Sequence, residues 1–592
     1  MSYRRWMKKW QPVVFWAVAF AFVAGVIWWS VATYLGGKRS AKQRVYSLSD
    51  ATAYLTKDGS PLNDERYWVM PWDLNKSYSN IISAYGMTNV DPIFDEPRYK
   101  AIVLEGMLKE RVQLYYADEN DLRPTKEEIK EKLKEIEGQI KSNKNALNYI
   151  KSRYRSLAAY LESIKPDIEK SLTLKKVREK VASVGEEDMR KYFEEHAEEL
   201  RNKYEKVDAL ILSFTDEASA NTFLNEAKKI GFDKAATNSN LSPSDVPNIT
   251  HGIFPEDVEK ALFSATSGQI VGPFKIGSSW FVFKVKKVVK LESFDDFLAS
   301  EFYETEKNNL ENEKFYEWLE NFMKTEKLGY HVNDEVLRFW LKYVENPNDE
   351  RVLSELLDEL EKEVIENGKV KDNSPDELKA LYVIILESEI SKLNDEISSH
   401  KRYLDLMKKE DKTEDEKKEL SDLEKELGKM DEKTIEEKIS ELENRLNEYT
   451  NLRKAVVEYL YGEYPTSLEV LSRMVEIKPN DPKINFEYYD SLYSLMKPAL
   501  QTGYIYKDRN LVFKLLQVQA GLYKVAYDAS ASTDMRAEAL FDIYEMNKLL
   551  EDATSASITL SELQKIAPDF LDYESAYSEL EEMMAPSSPA TE

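Results

Sequence analysis

Four histidines, His196, His251, His331 and His400, are the only imidazoles in a chain of 592 residues. No two of them share a metal-ligand spacing, and a zinc site needs several converging nitrogen or sulfur ligands. His196 has Glu195 and Glu199 within one helical turn, a pattern read as a solvated helix surface. Cysteine is absent, which excludes disulfides, thiolate zinc ligation and thiol nucleophiles. Gly36-Gly37-Lys38-Arg39 lacks the upstream glycine and the following hydroxyl of a phosphate-binding loop. No nucleophile, base and acid can be assembled. The expectation is a chain with no catalytic residue, no cofactor and no metal.

The elements that could position other chemistry are clearest between Tyr204 and Glu292. An apolar run, KYEKVDALILSF, is followed by the helix-like DEASANTFLNEAKKIGFDKAA and by FPEDVEKALFSATSGQIVGPFKIGSSWFVFKVKKV. That order reads as strand, helix, helix, tight turn and hairpin. With Gly268-Gln269-Ile270-Val271-Gly272-Pro273 as the turn and Phe263 as the helix aromatic, the segment resembles the parvulin family of prolyl isomerases. The resemblance implies a histidine on the first strand, near Leu210 or Ile211, and a second at about Phe281. Neither strand has one, so the fold is expected to be kept and the isomerase chemistry lost. Uncatalysed isomerisation faces a barrier of roughly 18–20 kcal/mol, and a cleft that only binds proline does little to lower it. Phe254, Phe263, Trp280 and Phe281 are the candidate lining of such a substrate-binding cleft, although aromatics at strand and helix spacing are ordinarily core.

Helical segments flank this part. Ile102, Val103, Met107, Leu108, Val112, Leu114 and Tyr115 recur at three- and four-residue steps, and Pro124-Thr125-Lys126-Glu127-Glu128 suits a helix start. A long helical run precedes GEEDMRKYFEEHAEEL, and one amphipathic helix from Ser293 is expected to end at Gly329. Helices before and after a parvulin insert resemble the SurA, PpiD and PrsA group of envelope foldases over roughly residues 75–335, PpiD most of all. Two departures are a long helical insert around Glu128 to Tyr160 and a shortened loop at His251-Gly252-Ile253-Phe254.

Beyond Glu335 no strand alternation appears. Ile390, Leu393, Ile397, Leu404 and Met407 face a second stripe of Leu420 to Tyr449 across the charged KKEDKTEDEKKE, which predicts an antiparallel helical hairpin closed there. Gly462, Tyr464, Ser467, Leu471 and Pro479 hold offsets similar to the second half of a tetratricopeptide repeat, in which the small residue lets two helices approach. Ala556, Leu560, Leu563 and Pro568 repeat the later part.

The charge is uneven. Residues 1–44 hold eight Lys or Arg and no acid, leaving 74 basic against 108 acidic side chains in the rest. Such a body repels phosphate backbones, so no nucleic-acid partner is expected. The 28 residues from Trp10 to Gly37 carry no charge, enough to cross a bilayer with some tilt. A cleavable signal peptide ending at Ser30-Val31-Ala32 is the competing reading. Its core would be too long, and Trp28 and Trp29 crowd the site. Four basic residues on each side leave the positive-inside rule tied, so orientation follows from the foldase resemblance.

The expected architecture is mostly α with a small α+β parvulin-like domain, an N-terminal transmembrane helix and a C-terminal hairpin and repeat-like scaffold. Its boundaries are 1–44 tail and anchor, 45–203 and 293–335 chaperone lobe, 204–292 parvulin-like domain, 336–455 hairpin, 456–582 repeats and 583–592 disordered tail. The implied function is an inner-membrane, single-pass chaperone with its bulk in the periplasm, holding unfolded or nascent envelope and secreted polypeptides, its isomerase domain inactive. The alternatives are an active parvulin-type isomerase and an envelope scaffold docking a protein partner through its C-terminal helices. Protease added to intact spheroplasts should digest the body and leave a short membrane fragment. Full protection of the body would contradict this topology.

Overall fold

The computed structural model describes residues 46–584. The expected span at Trp10–Gly37 lies outside them, and among the described residues no helix is long and apolar enough to cross a membrane. The chain forms two compact units, one of Lys57–Ser60 with Val112–Gly329, the other of the described parts of Met1–Thr56, Pro61–Arg111 and Tyr330–Glu592. This differs from the expected single lobe over 45–203 and 293–335. Ile93, Phe94 and Ala101 are buried in one core with Trp340, Leu356 and Leu381, and burial against those helices decides where the early segment belongs.

In that second unit the helices Asp376–Lys408 and Glu432–Glu463 form the long hairpin. They run antiparallel, since Leu393 and Ile397 meet Leu442 while Tyr403 meets Ile435 and Ile439. The sequence reading has the charged segment close the hairpin directly, and it does not. Thr413 makes a capping box with Glu416 and starts a separate helix, Glu414–Leu427. Leu420, Leu423 and Leu427 of that short helix pack over the hairpin tip, and Gly428, at φ +84°, ends it. A series of shorter helices follows, from Leu468–Ile477 to Tyr573–Met584, so Met583 and Met584 are helical although expected in a disordered tail. Gly462 is not where two helices approach, because a Cβ there would meet open space. The close approach is at Gly521, where a Cβ would collide with the ring of Tyr489.

The first unit contains the parvulin-like segment and the helices around it. Thr125 caps Lys126–Ser142 with a reciprocal bond to Glu128, as the Pro-Thr-Lys-Glu-Glu run predicts. Strand β1 (Lys206–Phe214) is followed by α1 (Glu217–Ile230), capped by Asp216, and by α2 (Phe232–Asn238). The expected single helix here is two, broken at Gly231 with φ +94°, a conformation side chains rarely adopt. Strand β2 (Ser244–Ile249), absent from the sequence reading, precedes α3 (Glu256–Ser264), β3 (Ile270–Ile276) and β4 (Ser279–Val289). Its mixed polar composition, SDVPNI, gives no alternation to read. The expected closing helix is also divided, into Phe294–Leu298 and Tyr303–Thr325.

Glu306 fastens Tyr303–Thr325 to the helix Glu186–Tyr204. It is 2 % exposed, and Tyr192 and Lys203 donate to it at 3.0 and 2.9 Å, with Tyr204 as a further donor. Burial pushes its carboxyl up, but the donors from Tyr204, Lys203 and Tyr192 outweigh it and hold the group below the usual carboxylate range. A depressed pKa stabilises the fold above the unfolded value of about 4.3, and that contribution is lost as pH falls through the folded value. Glu306→Ala should cost on the order of 2–4 kcal/mol in urea unfolding at pH 7, because Tyr192, Lys203, Tyr204 and Asn309 lose their acceptor. The difference from wild type should shrink below pH 4. Equal stability of the two proteins at pH 7 would contradict the role given to Glu306.

Candidate functional site

The four strands form one antiparallel sheet in the order β2-β1-β4-β3. Alternation divides its side chains between two faces. On one, Val207, Ala209 and Ile211 of β1 join Phe281, Phe283 and Val285 of β4, covered by Val258, Leu262 and Phe263 of α3. On the other, Leu210 and Leu212 join Trp280 and Val282 under Phe223, Leu224 and Phe232 of α1 and α2. The four aromatic candidates are therefore split. Phe254, Phe263 and Phe281 share the first face, and Trp280 lies on the second.

Phe283 is fully buried and stands at the centre of the first face. Around it lie Phe254, Phe274 and Phe281, with ring centroids at 5.6, 6.1 and 6.4 Å. These three rings and Ile211 are half-buried, and Ile253 beside them is exposed. Phe263 is buried and supports the face without being open to a ligand. Sequence reasoning missed Phe274 and the contribution of Ile211. The signal was strand register, since Phe274 pairs with Phe281 across β3 and β4. Ser213 is opposite Phe281 on β1, so the two strand positions expected to hold histidine are served by Ile211 and Phe281.

The Gly-Pro turn sets where Phe281 sits. Gly272 has φ +121°, and a Cβ there would lie 2.7 Å from the Phe281 carbonyl oxygen. Only glycine lets β3 pass this close to β4.

His251 holds the short loop before α3. Its ring stacks on Phe263 at 3.8 Å, and its Nε2 lies 3.1 Å from Glu205. Glu259, 3.7 Å from the other ring nitrogen, accepts the backbone N–H of Phe254 at 3.1 Å. Glu205 also accepts from the Leu291 N–H. Glu205 immediately precedes β1, so His251 is bonded at the end of that strand opposite to Ser213, the partner of Phe281. Its partners make it a clamp on the loop that presents Phe254. The other three histidines are placed apart. His196 marks a kink in its helix beside Glu199, His331 stacks on Tyr54, and His400 is buried against the Glu396 carbonyl. Among the described residues no group of acids and histidines could hold a metal.

The model of the PPIC-type PPIASE domain family matches residues 184–297. Those residues form a parvulin-type domain. Its limits are wider than 204–292, because Phe193 and Leu200 upstream share a core with Leu291, Phe294 and Phe297 downstream. No curated protein matches the chain. Among solved structures, it is similar to a SurA-like chaperone of Campylobacter jejuni, with 14 % identity over 48 % of this chain and 98 % of that one at a TM-score of 0.21. Foldase protein PrsA of Lactococcus lactis matches at 13 % identity over 49 % and 98 %, TM-score 0.21. PrsA of Bacillus subtilis matches at 18 % over 44 % and 90 %, TM-score 0.15.

The turn of the parvulin-type domain gives a direct test. Gly272→Ala should destabilise the domain by more than about 2 kcal/mol, because the new methyl meets backbone that cannot move away. Gly277→Ala, at φ +62° with open space around it, should cost only about 1 kcal/mol. Thermal unfolding of both variants checks the order, and equal costs would contradict the close approach.

Proposed function

We propose that the chain is a membrane-tethered, extracytoplasmic chaperone of the foldase type, whose parvulin-type domain binds unfolded polypeptide without isomerising it. The observation that carries this reading is the half-buried apolar face of Ile211, Phe254, Phe274 and Phe281 around Phe283. Rings of this size offer a large apolar area to an extended chain, and a ligand that covers them gains by removing them from water. The tether is the uncharged stretch Trp10–Gly37.

Catalysis would need groups that stabilise the twisted amide more than the planar one. Around Phe281 the register supplies only the Ser213 hydroxyl, and His251 is engaged elsewhere. An apolar cleft that strips water from the amide gives at most a small rate gain. The match to the isomerase family model favours the second reading, an active enzyme, and one pair of assays separates the two. The full chain should delay aggregation of an unfolded client, and Phe254→Ala with Phe281→Ala should weaken that effect severalfold. Isomerisation of a proline peptide should stay near the uncatalysed rate in both proteins. A large acceleration that Phe281→Ala abolishes would make this an isomerase.

A further inference from the structure

The helix Pro71–Ala84 leaves the core along its length. Leu74, Tyr78, Ile81, Ile82 and Tyr85 follow one another at steps of four, three, one and three, which places them within about 100° of each other at 100° per residue. Leu74 is buried, at 3 % exposure, and Tyr78 lies under the Lys100 ammonium at 5.4 Å. The face then runs into solvent. Ile81 is 37 % exposed and Tyr85 77 %, with Met87 just beyond the helix at 36 %. Residues 77–90 hold no Asp, Glu, Lys or Arg, in a chain that is 32 % charged. A solvated helix face ordinarily carries charge, and this one is apolar and neutral.

The chain's own anchor selects the occupant. Tyr46 packs on Trp72, in the first turn of this helix, with ring centroids 4.9 Å apart. Tyr46 comes nine residues after Gly37, where the uncharged stretch ends. Those nine residues, fully extended, reach at most about 30 Å, and Tyr85 is ~20 Å further along the helix from Trp72. A tether of that length keeps the bilayer within reach of the face at a high effective concentration. A client, a second copy or another protein would have to arrive from solution. The connecting residues add Lys38, Arg39, Lys42 and Arg44, four cations that favour a surface of lipid phosphates. Tyr85 and its isoleucine neighbours, with no charge among them, suit the headgroup boundary, where an apolar helix side embeds by roughly 5–10 Å.

We propose that Ile81, Ile82, Tyr85 and Met87 dock the body on the bilayer that holds its anchor, entering the headgroup boundary. This rests on the tether proposed above. The test uses the full chain reconstituted in phosphatidylcholine vesicles. The chain has no cysteine, so Tyr85→Cys takes a single environment-sensitive fluorophore. Ser83→Cys, exposed and about 160° around the same helix, takes the same label for comparison. Lipids with a nitroxide high on the acyl chain should quench the label at 85 at least threefold more than the label at 83. Ile81→Asp, or Met87→Asp just outside the helix, should remove most of the quenching at 85, with an unchanged helical circular dichroism spectrum. Flotation with the vesicles, read separately, tests the tether. A chain that floats with its label at 85 unquenched overturns the docking and leaves the tether standing, whereas a chain that does not float overturns both. A blue-shifted label at 85 that lipid nitroxides do not reach would give the face to a second copy or a client and overturn the proposal. So would equal quenching at 83 and 85.

Discussion

The pairing of Phe281 with Ser213 across the two central strands is the constraint on which the rest of the parvulin-type domain depends. A slip of one residue would exchange every side chain between the faces. It would put Trp280 where Phe281 now stands and send Phe283 under the wrong helices. The close passage at Gly272 holds that register from the β3 side. The clamp of His251, Glu205 and Glu259 then holds the loop bearing Phe254. Three aromatic rings from three different elements meet around Phe283 because the backbone leaves them no other side to occupy.

The same geometry bears on the proposal that this parvulin-type domain binds polypeptide without isomerising it. The face is apolar at both strand positions where the parvulin resemblance places histidines. An apolar face binds substrate and transition state almost equally, which favours retention of a chain over turnover of a bond. His251 lies in the short loop before α3, and its two glutamate neighbours and its stacking on Phe263 give it a structural task.

Much of this was legible in residue patterns. The turn Gly268–Pro273, the strand flanking Leu210 and the helix bearing Phe263 could be placed because their signals are local. The cap at Thr125 was equally plain. Trp280 could not be assigned to a face until the register was known, although its position next to Phe281 already required the two rings to point apart. Strand β2 was missed because it borrows its regularity from β1 and has no alternation of its own. The helix at Glu414–Leu427 was read as the hairpin's return arm, since its leucine spacing matches that arm and only Gly428 separates them. The Gly462 offset suggested a close helix contact that Gly521 makes instead. A single glycine does not reveal which neighbour it faces.

The central claim is that unfolded polypeptide lies on the Phe281 face of the sheet and not on the Trp280 face. Photo-crosslinking decides it most directly. A photoreactive amino acid placed at position 281 in the full chain should capture an unfolded client in a band that a competing client removes. The same group at position 280, one residue away on the opposite face, should capture little. Equal capture from both positions, or capture from 280 alone, would contradict the account.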